Sequence, residues 1–216
     1  MTTLSLPTNA GSGVETFPPA HGEKIIQRIR RVAGSKFSKA RCMTGDDDLV
    51  LQSQNGDASA FELLVRNHQQ MIHALTFRMT GSTADAEDLA QETFIRAFEQ
   101  IGAFNGRAKF STWLYSIGVH ACLNWRRNEM RRFQAHTNCA AEMVAQHSNG
   151  EISENAQHAL AALMKLPAKQ RAAIVLTIYD GMSHAEAAKV LRCSETTVSW
   201  RVFTAKRKLK QVLSKQ

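Results

Sequence analysis

Long apolar runs, paired cysteines and proline are all scarce in this 216-residue sequence. No apolar stretch approaches the roughly 20 residues that a membrane-spanning helix requires, and the N-terminus lacks a charged start followed by an apolar segment, so we expect neither membrane insertion nor export. The four cysteines, Cys42, Cys122, Cys139 and Cys193, are far apart and form no C-x-x-C motif. This spacing argues against a disulfide framework or a zinc knuckle and is typical of a cytoplasmic protein.

Catalytic motifs are also missing. The eight histidines form no H-E-x-x-H motif, and the chain has neither a nucleophile elbow around serine or cysteine nor a glycine-rich phosphate loop. We therefore expect a protein that is not an enzyme and that has no cofactor. Cys139, His136 and His147 could form a metal or redox site, but they lack the fixed spacing of metal ligands, and we predict no metal site.

Positive charge is in excess and is concentrated in separate segments. Lys and Arg total 27 against 19 Asp and Glu, a net charge of +8, which favours an anionic partner such as nucleic acid. Residues 102–133 and 192–216 are basic, and the segment between them is nearly neutral. This pattern predicts two nucleic-acid contacts joined by a spacer, although a basic segment can also be merely a solvated helix face.

Helical periodicity begins at Asp46, and no strand alternation competes with it. We predict an all-α protein with two small helical domains joined by a flexible linker. The predicted units are a leader over 1–45, a four-helix domain over 46–133, a linker over 134–157 and a helix-turn-helix domain over 158–216. The leader is basic; the stretch 1–22 has a disordered composition, and 23–41 is either a short basic amphipathic helix or a marginal helix without a partner.

Capping residues predict where individual helices begin. Asp57 can accept a backbone N–H of a helix that ends at Gly81, and Ser82 opens the next helix. Ser183 and Glu186 form a capping box at the start of the helix that precedes the turn of the helix-turn-helix unit.

The last helix shows the most informative pattern. Its apolar positions Val198, Val202, Ala205 and Leu209 recur at helical spacing and must face inward. Polar and aromatic side chains are left on the outward side as candidates for contacting base edges, and a basic tail follows that can contact phosphates. The alternative is a helical hairpin with a solubilising basic end. The outward base-edge candidates are Thr196, Ser199, Trp200, Phe203 and Thr204, and the tail comprises Lys206, Arg207, Lys208 and Lys210.

A second constellation lies in residues 104–133. Aromatic faces can stack on unpaired bases while cations follow the backbone, which is typical of single-strand binding. For each aromatic taken singly, core packing is the alternative. Trp113 and Tyr115 flank Leu114 on one helix, so at least one of them should lie near the surface. Six of the fifteen aromatics of the chain and six cations occur here: Phe104, Phe110, Trp113, Tyr115, Trp125, Phe133, Arg107, Lys109, Arg126, Arg127, Arg131 and Arg132.

An acidic helix precedes this constellation, and its polar face of Asp88, Gln91 and Glu92 can dock on a basic partner. Together, residues 46–213 resemble an extracytoplasmic-function sigma factor, a two-domain class of bacterial transcription initiation factor in the sigma-70 family. Residues 85–98, DAEDLAQETFIRAF, resemble the segment that binds core polymerase, and 110–127, FSTWLYSIGVHACLNWRR, the segment that melts the promoter. Residues 166–171, LPAKQR, and 180–188, DGMSHAEAA, resemble the opening of the second conserved domain.

The resemblance implies a role for particular residues of each segment. Contact with the β′ clamp helices of core RNA polymerase is implied for Asp85, Asp88, Gln91 and Glu92, and a contact with the β flap completes the polymerase interface. Handling of the melted −10 element, with one base flipped into a pocket, is implied for Asn105, Arg107, Lys109, Thr112, Trp113, Asn124, Arg126 and Arg127. Recognition of the −35 duplex is implied for Arg171, Thr196, Ser199, Trp200, Arg201, Phe203, Thr204 and Lys206, with Arg171 and Lys206 as phosphate contacts.

One segment departs from the family pattern. Many members carry Arg-Ser-Arg, an apolar residue, Phe and Arg where this chain has Ser199-Trp-Arg-Val-Phe-Thr204, so two arginines are missing. Because arginine provides bidentate contacts to guanine, we expect a different or weaker duplex specificity that depends on Phe203 or Trp200 against thymine methyl groups. The resemblance says nothing about the basic leader.

The function implied is that of a sigma factor: it binds core polymerase, melts and reads the −10 element and reads the −35 element. Its implied partners are core polymerase, promoter DNA and an anti-sigma factor that sequesters it. The free protein is expected to be a cytoplasmic monomer that joins the nucleoid within the holoenzyme. Two alternatives remain open: a conventional helix-turn-helix regulator that binds DNA without polymerase, and a sigma-like decoy that binds an anti-sigma protein without reading promoters.

Overall fold

The computed structural model describes residues 27, 45–136 and 154–213. The remainder of the predicted leader and the segment 137–153, which includes Cys139 and His147, lie outside the described residues. Within them the chain forms helices connected by short turns, and no strand occurs. The predicted all-α class is therefore confirmed.

The first helical unit contains four α-helices and a short 3₁₀ turn. Asp57 accepts backbone N–H groups of Ser59 and Ala60 at 2.9 and 3.4 Å, as its capping position predicts. Gly81 ends the same helix with φ at +77°, a left-handed conformation that glycine adopts without a steric penalty. The elements are α1 (Asp46–Gln54), α2 (Ala58–Thr80), α3 (Thr83–Gln100), the 3₁₀ turn (Ile101–Ala103) and α4 (Phe110–His136).

The core of this unit forms where α2, α3 and α4 cross. Phe61, Leu75 and Phe94 are fully buried in it. Gly118 allows the close approach of α4 to α2, because a Cβ atom at this position would lie 3.1 Å from Cδ2 of Leu75. The core therefore fixes the rotation of α4, the helix that carries most of the side chains assigned by resemblance to the −10 element.

The second helical unit ends in a helix-turn-helix. The predicted capping box is present, since Ser183 Oγ accepts the Glu186 N–H at 3.2 Å and the Glu186 carboxylate accepts the Ser183 N–H at 2.9 Å. Val198, Val202 and Ala205 are buried, as their spacing predicts. The elements are α5 (Glu154–Met164), α6 (Ala168–Ile174) continuing into a π-helical turn (Val175–Tyr179), α7 (His184–Leu191) and α8 (Glu195–Leu213).

The two units meet around the guanidinium group of Arg171, which is only 2% exposed. Its Nε donates to the Leu163 carbonyl at 3.0 Å, and Nη2 donates to the carbonyls of Met164 and Leu166 at 2.8 and 3.2 Å. Nη1 donates to the carbonyl of Met79, which lies near the end of α2 in the first unit. Arg171 thus joins α2 to the turn between α5 and α6.

The prediction that Arg171 contacts a DNA phosphate is wrong for this structure. The side chain points into the protein, and its hydrogen bonds go to backbone carbonyls rather than toward solvent. Burial lowers the pKa of Arg171 to about 10, with a smaller contribution from the charge of Arg126. The guanidinium is still charged at neutral pH, and its structural role explains why a basic residue occurs there.

Replacement of Arg171 by Ala is expected to lower the free energy of unfolding by about 3 kcal/mol or more, because it leaves buried carbonyls without donors. Urea unfolding followed by circular dichroism measures this change. Lys169→Ala is the matched control, since it removes an exposed cation from the same helix and should change the stability by less than about 0.5 kcal/mol. Equal effects of the two substitutions would contradict the structural role of Arg171.

Candidate polymerase and nucleic-acid interfaces

The predicted polymerase-binding residues share one side of α3. Asp85, Asp88 and Glu92 are spaced three and four apart, which places them on one helical face. Asp88 is exposed, and the half-exposed Glu92 carboxylate pairs with Arg96 one turn later. Gln91 lies beside them, partly exposed. The opposite face of α3 packs into the core, so this acidic face is presented outward.

A short loop between the 3₁₀ turn and α4 carries the first of the side chains assigned to the −10 element. The amide Nε2 of Gln54 donates to the carbonyls of Ile101 and Phe104 at 2.9 and 2.7 Å, which ties the start of the loop to α1. Within the loop, Asn105 Oδ1 accepts the Arg107 N–H at 3.2 Å, a turn that Gly106 permits with φ at +69°. The sequence gives no periodic signal for the anchoring role of Gln54.

The aromatic residues beside this loop pack mainly on each other. The ring centroids of Phe104, Phe110 and Trp113 lie 5.1 to 6.0 Å apart, and Phe110 and Tyr115 are buried. The predicted single-strand stacking surface is therefore much smaller than its aromatic content suggests. Trp113 is half-buried, whereas Tyr115 is buried, as expected for two aromatics that flank Leu114 on one helix. Trp113 also lines a cleft.

This cleft brings together four of the side chains assigned to the −10 element: Asn105, Arg107, Thr112 and Trp113. Its volume is about 230 Å³, and its far wall comes from the second unit, where α7 contributes Lys189 and Val190. A cleft lined by hydrogen-bonding groups, a cation and an indole ring can hold a single unpaired base.

The other side chains assigned to the −10 element lie outside this cleft. Asn124 is twelve positions beyond Thr112, which corresponds to about 18 Å along the helix. Its Oδ1 accepts from Arg127 Nη2 at 2.6 Å, and Arg126 is exposed nearby. These three residues form a separate basic area on α4 and do not line the cleft. Lys109 is exposed on the loop that precedes α4.

The outward face of α8 carries most of the side chains assigned to the −35 duplex. Trp200 and Phe203 are 62% and 67% exposed, an unusual degree for large aromatic side chains. Thr196 and Lys206 are exposed, whereas Ser199 and Thr204 are partly buried. Arg201 Nη1 lies 3.5 Å from the Cys193 Sγ, so the guanidinium is directed toward the turn before α8.

His184 is a neighbour of this face that the sequence did not identify. Its Nδ1 lies 2.8 Å from Ser199 Oγ, at hydrogen-bond distance. The contact joins the first residue of α7 to the outward side of α8. No sequence motif marks it, because it depends on the crossing angle of the two helices.

Other kinds of site receive no support within the described ranges. No group of three or more His, Cys, Asp or Glu side chains there is placed to hold a metal ion. Burial raises the pKa of the Cys122 thiol to about 12, so it is protonated at neutral pH. The described helices include none with both the length and the apolar character needed to cross a membrane.

Comparison with known proteins gives matches to both units. The family model for sigma-70 region 2 matches residues 64–132, and that for sigma-70 region 4 matches residues 157–209. The chain is similar to the ECF RNA polymerase sigma factor SigM of Mycobacterium tuberculosis, with 34% identity over 78% of this chain and 84% of the relative. It is also similar to the ECF RNA polymerase sigma-E factor of Escherichia coli K12, with 33% identity over 74% and 90%.

Two solved structures resemble the fold over most of its length. The sigma factor RpoE in complex with the anti-sigma factor NepR, from Bartonella quintana, aligns with a TM-score of 0.62 and 27% identity, over 71% of this chain and 96% of that one. CnrH in complex with the cytosolic domain of CnrY aligns with a TM-score of 0.58 and 28% identity, over 79% and 98%.

Replacement of Gln54 by Glu is expected to loosen the loop that carries Asn105, because a carboxylate cannot donate to the two carbonyls that the amide binds. Hydrogen exchange over 101–109 should accelerate, and the free energy of unfolding should fall by about 1–3 kcal/mol. The matched control is Gln100→Glu, since Gln100 is exposed at the end of α3. Unchanged exchange in the loop would contradict the anchoring role of Gln54.

Proposed function

Because the chain belongs to the extracytoplasmic-function group of the sigma-70 family, we propose a division of promoter recognition between its two helical units. The chain is a sigma factor and directs promoter-specific transcription initiation. The matches to the two sigma-70 family models and to the sigma factors named above support this conclusion. The roles of individual residues given below are our assignment.

The first unit holds core polymerase through the acidic face of α3. Asp85, Asp88, Gln91 and Glu92 face outward on one side of a helix that is anchored by a buried apolar face. A rigid row of carboxylates suits a basic partner helix, because the charge array is presented without a cost for ordering the backbone. We assign this face to the β′ clamp helices, and contact with the β flap to the second unit.

The same unit reads the melted −10 strand with the cleft and the basic end of α4. Asn105, Thr112 and Trp113 line the cleft and offer hydrogen-bonding groups and an indole ring to one unstacked base. Asn124, Arg126 and Arg127 lie about 18 to 23 Å from Thr112 along α4 and can contact phosphates of the same strand. Arg107, which lines the cleft, and Lys109, which lies outside it, are both exposed and contribute positive charge.

The second unit reads the −35 duplex with α8. Trp200 and Phe203 are free to meet thymine methyl groups in the major groove, and Lys206 lies on the phosphate side. Thr196, Ser199, Thr204 and Arg201 complete the outward set. Arg171 is left out of this assignment because it is buried between the units.

An anti-sigma factor is the proposed partner of the free protein. One of the two solved structures described above is a sigma factor in complex with an anti-sigma factor, and it aligns over 71% of this chain. We place the complex in the cytoplasm, with transfer to the nucleoid when core polymerase binds.

Retention of a forked promoter DNA tests the proposed function. The purified chain should retain a fork with a single-stranded −10 segment, and yield a transcript, only when bacterial core polymerase is present. Tight duplex binding by the chain alone would instead indicate a conventional regulator. Binding to an anti-sigma protein without any promoter binding would indicate a decoy.

Reversal of charge on α3 tests the polymerase face. Asp88→Arg should weaken core retention at least about tenfold, because it places a cation against a basic partner. Glu99→Arg is the matched control, since Glu99 is an exposed carboxylate about 16 Å further along the same helix and is not among the assigned residues. Competition against a labelled sigma factor for core polymerase measures both variants, and equal loss would refute the assignment to Asp88.

Substitutions on α8 should separate base recognition from phosphate binding. Phe203→Ala should reduce discrimination against −35 base changes by about 1–3 kcal/mol at one or two positions. Lys206→Ala should weaken binding to all sequences alike and lower the salt slope by about one unit. Holoenzyme binding to a −35 mutant series at two salt concentrations measures both effects. A uniform loss with Phe203→Ala would contradict a role in specificity.

A further inference from the structure

A contact between two side chains joins the helices of the helix-turn-helix beside its outward face. Nδ1 of His184, the first residue of α7, lies 2.8 Å from Oγ of Ser199 on α8. Both side chains are partly exposed, whereas Ala187 of α7 and Val198 of α8 are fully buried between the helices. Neighbouring residues of a helix point about 100° apart. Ser199 therefore lies at the border between the buried side of α8 and its outward face.

Ser199 also belongs to the row of α8 side chains that we assign to bases of the −35 duplex. Residues three and four apart are neighbours on a helix surface, so Thr196 precedes Ser199 in this row and Phe203 follows it. Thr196 is exposed, and Phe203 is 67% exposed. His184 thus adds an imidazole from another helix to the edge of this row.

The backbone around His184 holds the imidazole in place before any DNA binds. The start of α7 is fixed by the capping box, in which Ser183 and Glu186 exchange hydrogen bonds of 2.9 and 3.2 Å. The other end of α7 is fixed by the turn at Arg192, which has a left-handed backbone with φ at +48°. Because α7 is only eight residues long, these two ends determine how it crosses α8 and where His184 meets Ser199.

Other hydroxyl groups in the helices of this chain donate to the backbone of their own helix. Ser53 Oγ, Thr93 Oγ1 and Thr177 Oγ1 each donate to the carbonyl four residues earlier, at 2.7 Å. The hydroxyl of Ser199 instead lies against Nδ1 of His184. A neutral imidazole has one bare nitrogen that accepts a hydrogen bond. Nδ1 can therefore replace the backbone carbonyl as the acceptor of the Ser199 hydrogen.

The direction of this hydrogen bond decides what Ser199 can recognise. A serine hydroxyl has one hydrogen to donate and two lone pairs that accept, so an unconstrained serine pairs with donors and acceptors of the bases alike. Once the hydrogen is donated to an imidazole nitrogen, the oxygen can only accept. An acceptor in the major groove pairs with the amino group of adenine or cytosine and not with the carbonyl oxygen of guanine or thymine.

We infer that His184 determines specificity at the −35 duplex: it accepts the hydroxyl hydrogen of Ser199 and leaves the Ser199 oxygen as a pure acceptor toward the major groove. Many members of the family carry arginine at the position of Ser199, and arginine only donates. The His184–Ser199 pair therefore reverses the polarity of this contact. His184 acts through Ser199 and is a positioning residue. The inference rests on the proposed function, because the −35 duplex is the ligand.

Selection from a promoter library tests the pair. Holoenzyme assembled from the full chain and bacterial core polymerase is mixed with forked promoters that have a randomised −35 window, and the retained duplexes are sequenced. At one position of one strand, wild type should prefer adenine or cytosine over guanine and thymine about fivefold, a factor typical of one hydrogen bond. Ser199→Ala and His184→Phe should each abolish this preference and keep the preferences at other positions.

Two further variants separate positioning from a general structural role. The double variant His184→Phe/Ser199→Ala should behave like either single variant, because the two residues act as a unit. His184→Asn should retain the preference, since its amide oxygen can accept the same hydrogen. The matched control is His158→Phe, which removes an exposed histidine from α5 of the same helical unit and should change no preference.

Three outcomes would overturn the inference. His184→Phe would have to weaken retention of all sequences by the same factor, or lose no preference, or the position lost in Ser199→Ala would have to select guanine or thymine in wild type. Circular dichroism establishes that each variant is folded, and Ser199→Ala gives a second reading if His184→Phe is unstable.

The inference and the proposed function fail in different ways. If wild-type holoenzyme retains no forked promoter, the proposed function fails. The hydrogen bond is still measurable in that case, because the nitrogen chemical shifts of His184 in the free chain report which ring nitrogen is bare, and Ser199→Ala should shift Nδ1. If promoters are retained with −35 preferences that His184→Phe leaves unchanged, the inference fails and the proposed function stands.

Discussion

A single buried guanidinium group organises the ends of several helices. The last carbonyls of any α-helix lack partners within the helix, and burial of such groups without donors is costly. Arg171 satisfies carbonyls at the end of α5, in the turn that follows, and near the end of α2. Its charge also complements the negative ends of these helix dipoles. This residue therefore determines the path of the chain from α5 into α6. It also determines where the second unit packs on α2.

The packing of the two helical units around Arg171 explains where the polar contacts of their interface lie. Since the end of α2 is fixed against the second unit, Arg78, one residue before Met79, reaches Asp180 and Tyr179. The same docking brings α7 against the first turns of α4. The interface thus combines buried apolar side chains with an ion pair between Arg78 and Asp180.

Local signals predicted the helices well, because capping and periodicity act over a few residues. Asp57, Ser82 and the Ser183–Glu186 box mark helix starts where the structure has them, and the outward position of Trp200 and Phe203 follows from the inward stripe of α8. Arg171 shows the limit of this reasoning. The family resemblance implied a phosphate contact for Arg171, yet one of its hydrogen-bond acceptors lies in the other unit, 92 residues away in sequence.

Residue type and spacing within single segments were enough to define the all-α class, the helix-turn-helix unit, the acidic face of α3 and the family. The docked structure was needed to show which aromatics are core, that Gln54 anchors the loop, that His184 meets Ser199, and that α7 faces the cleft. The physical reason is that these features are contacts between segments. Their existence depends on helix crossing and docking, which balance burial and desolvation across the whole molecule rather than along the chain.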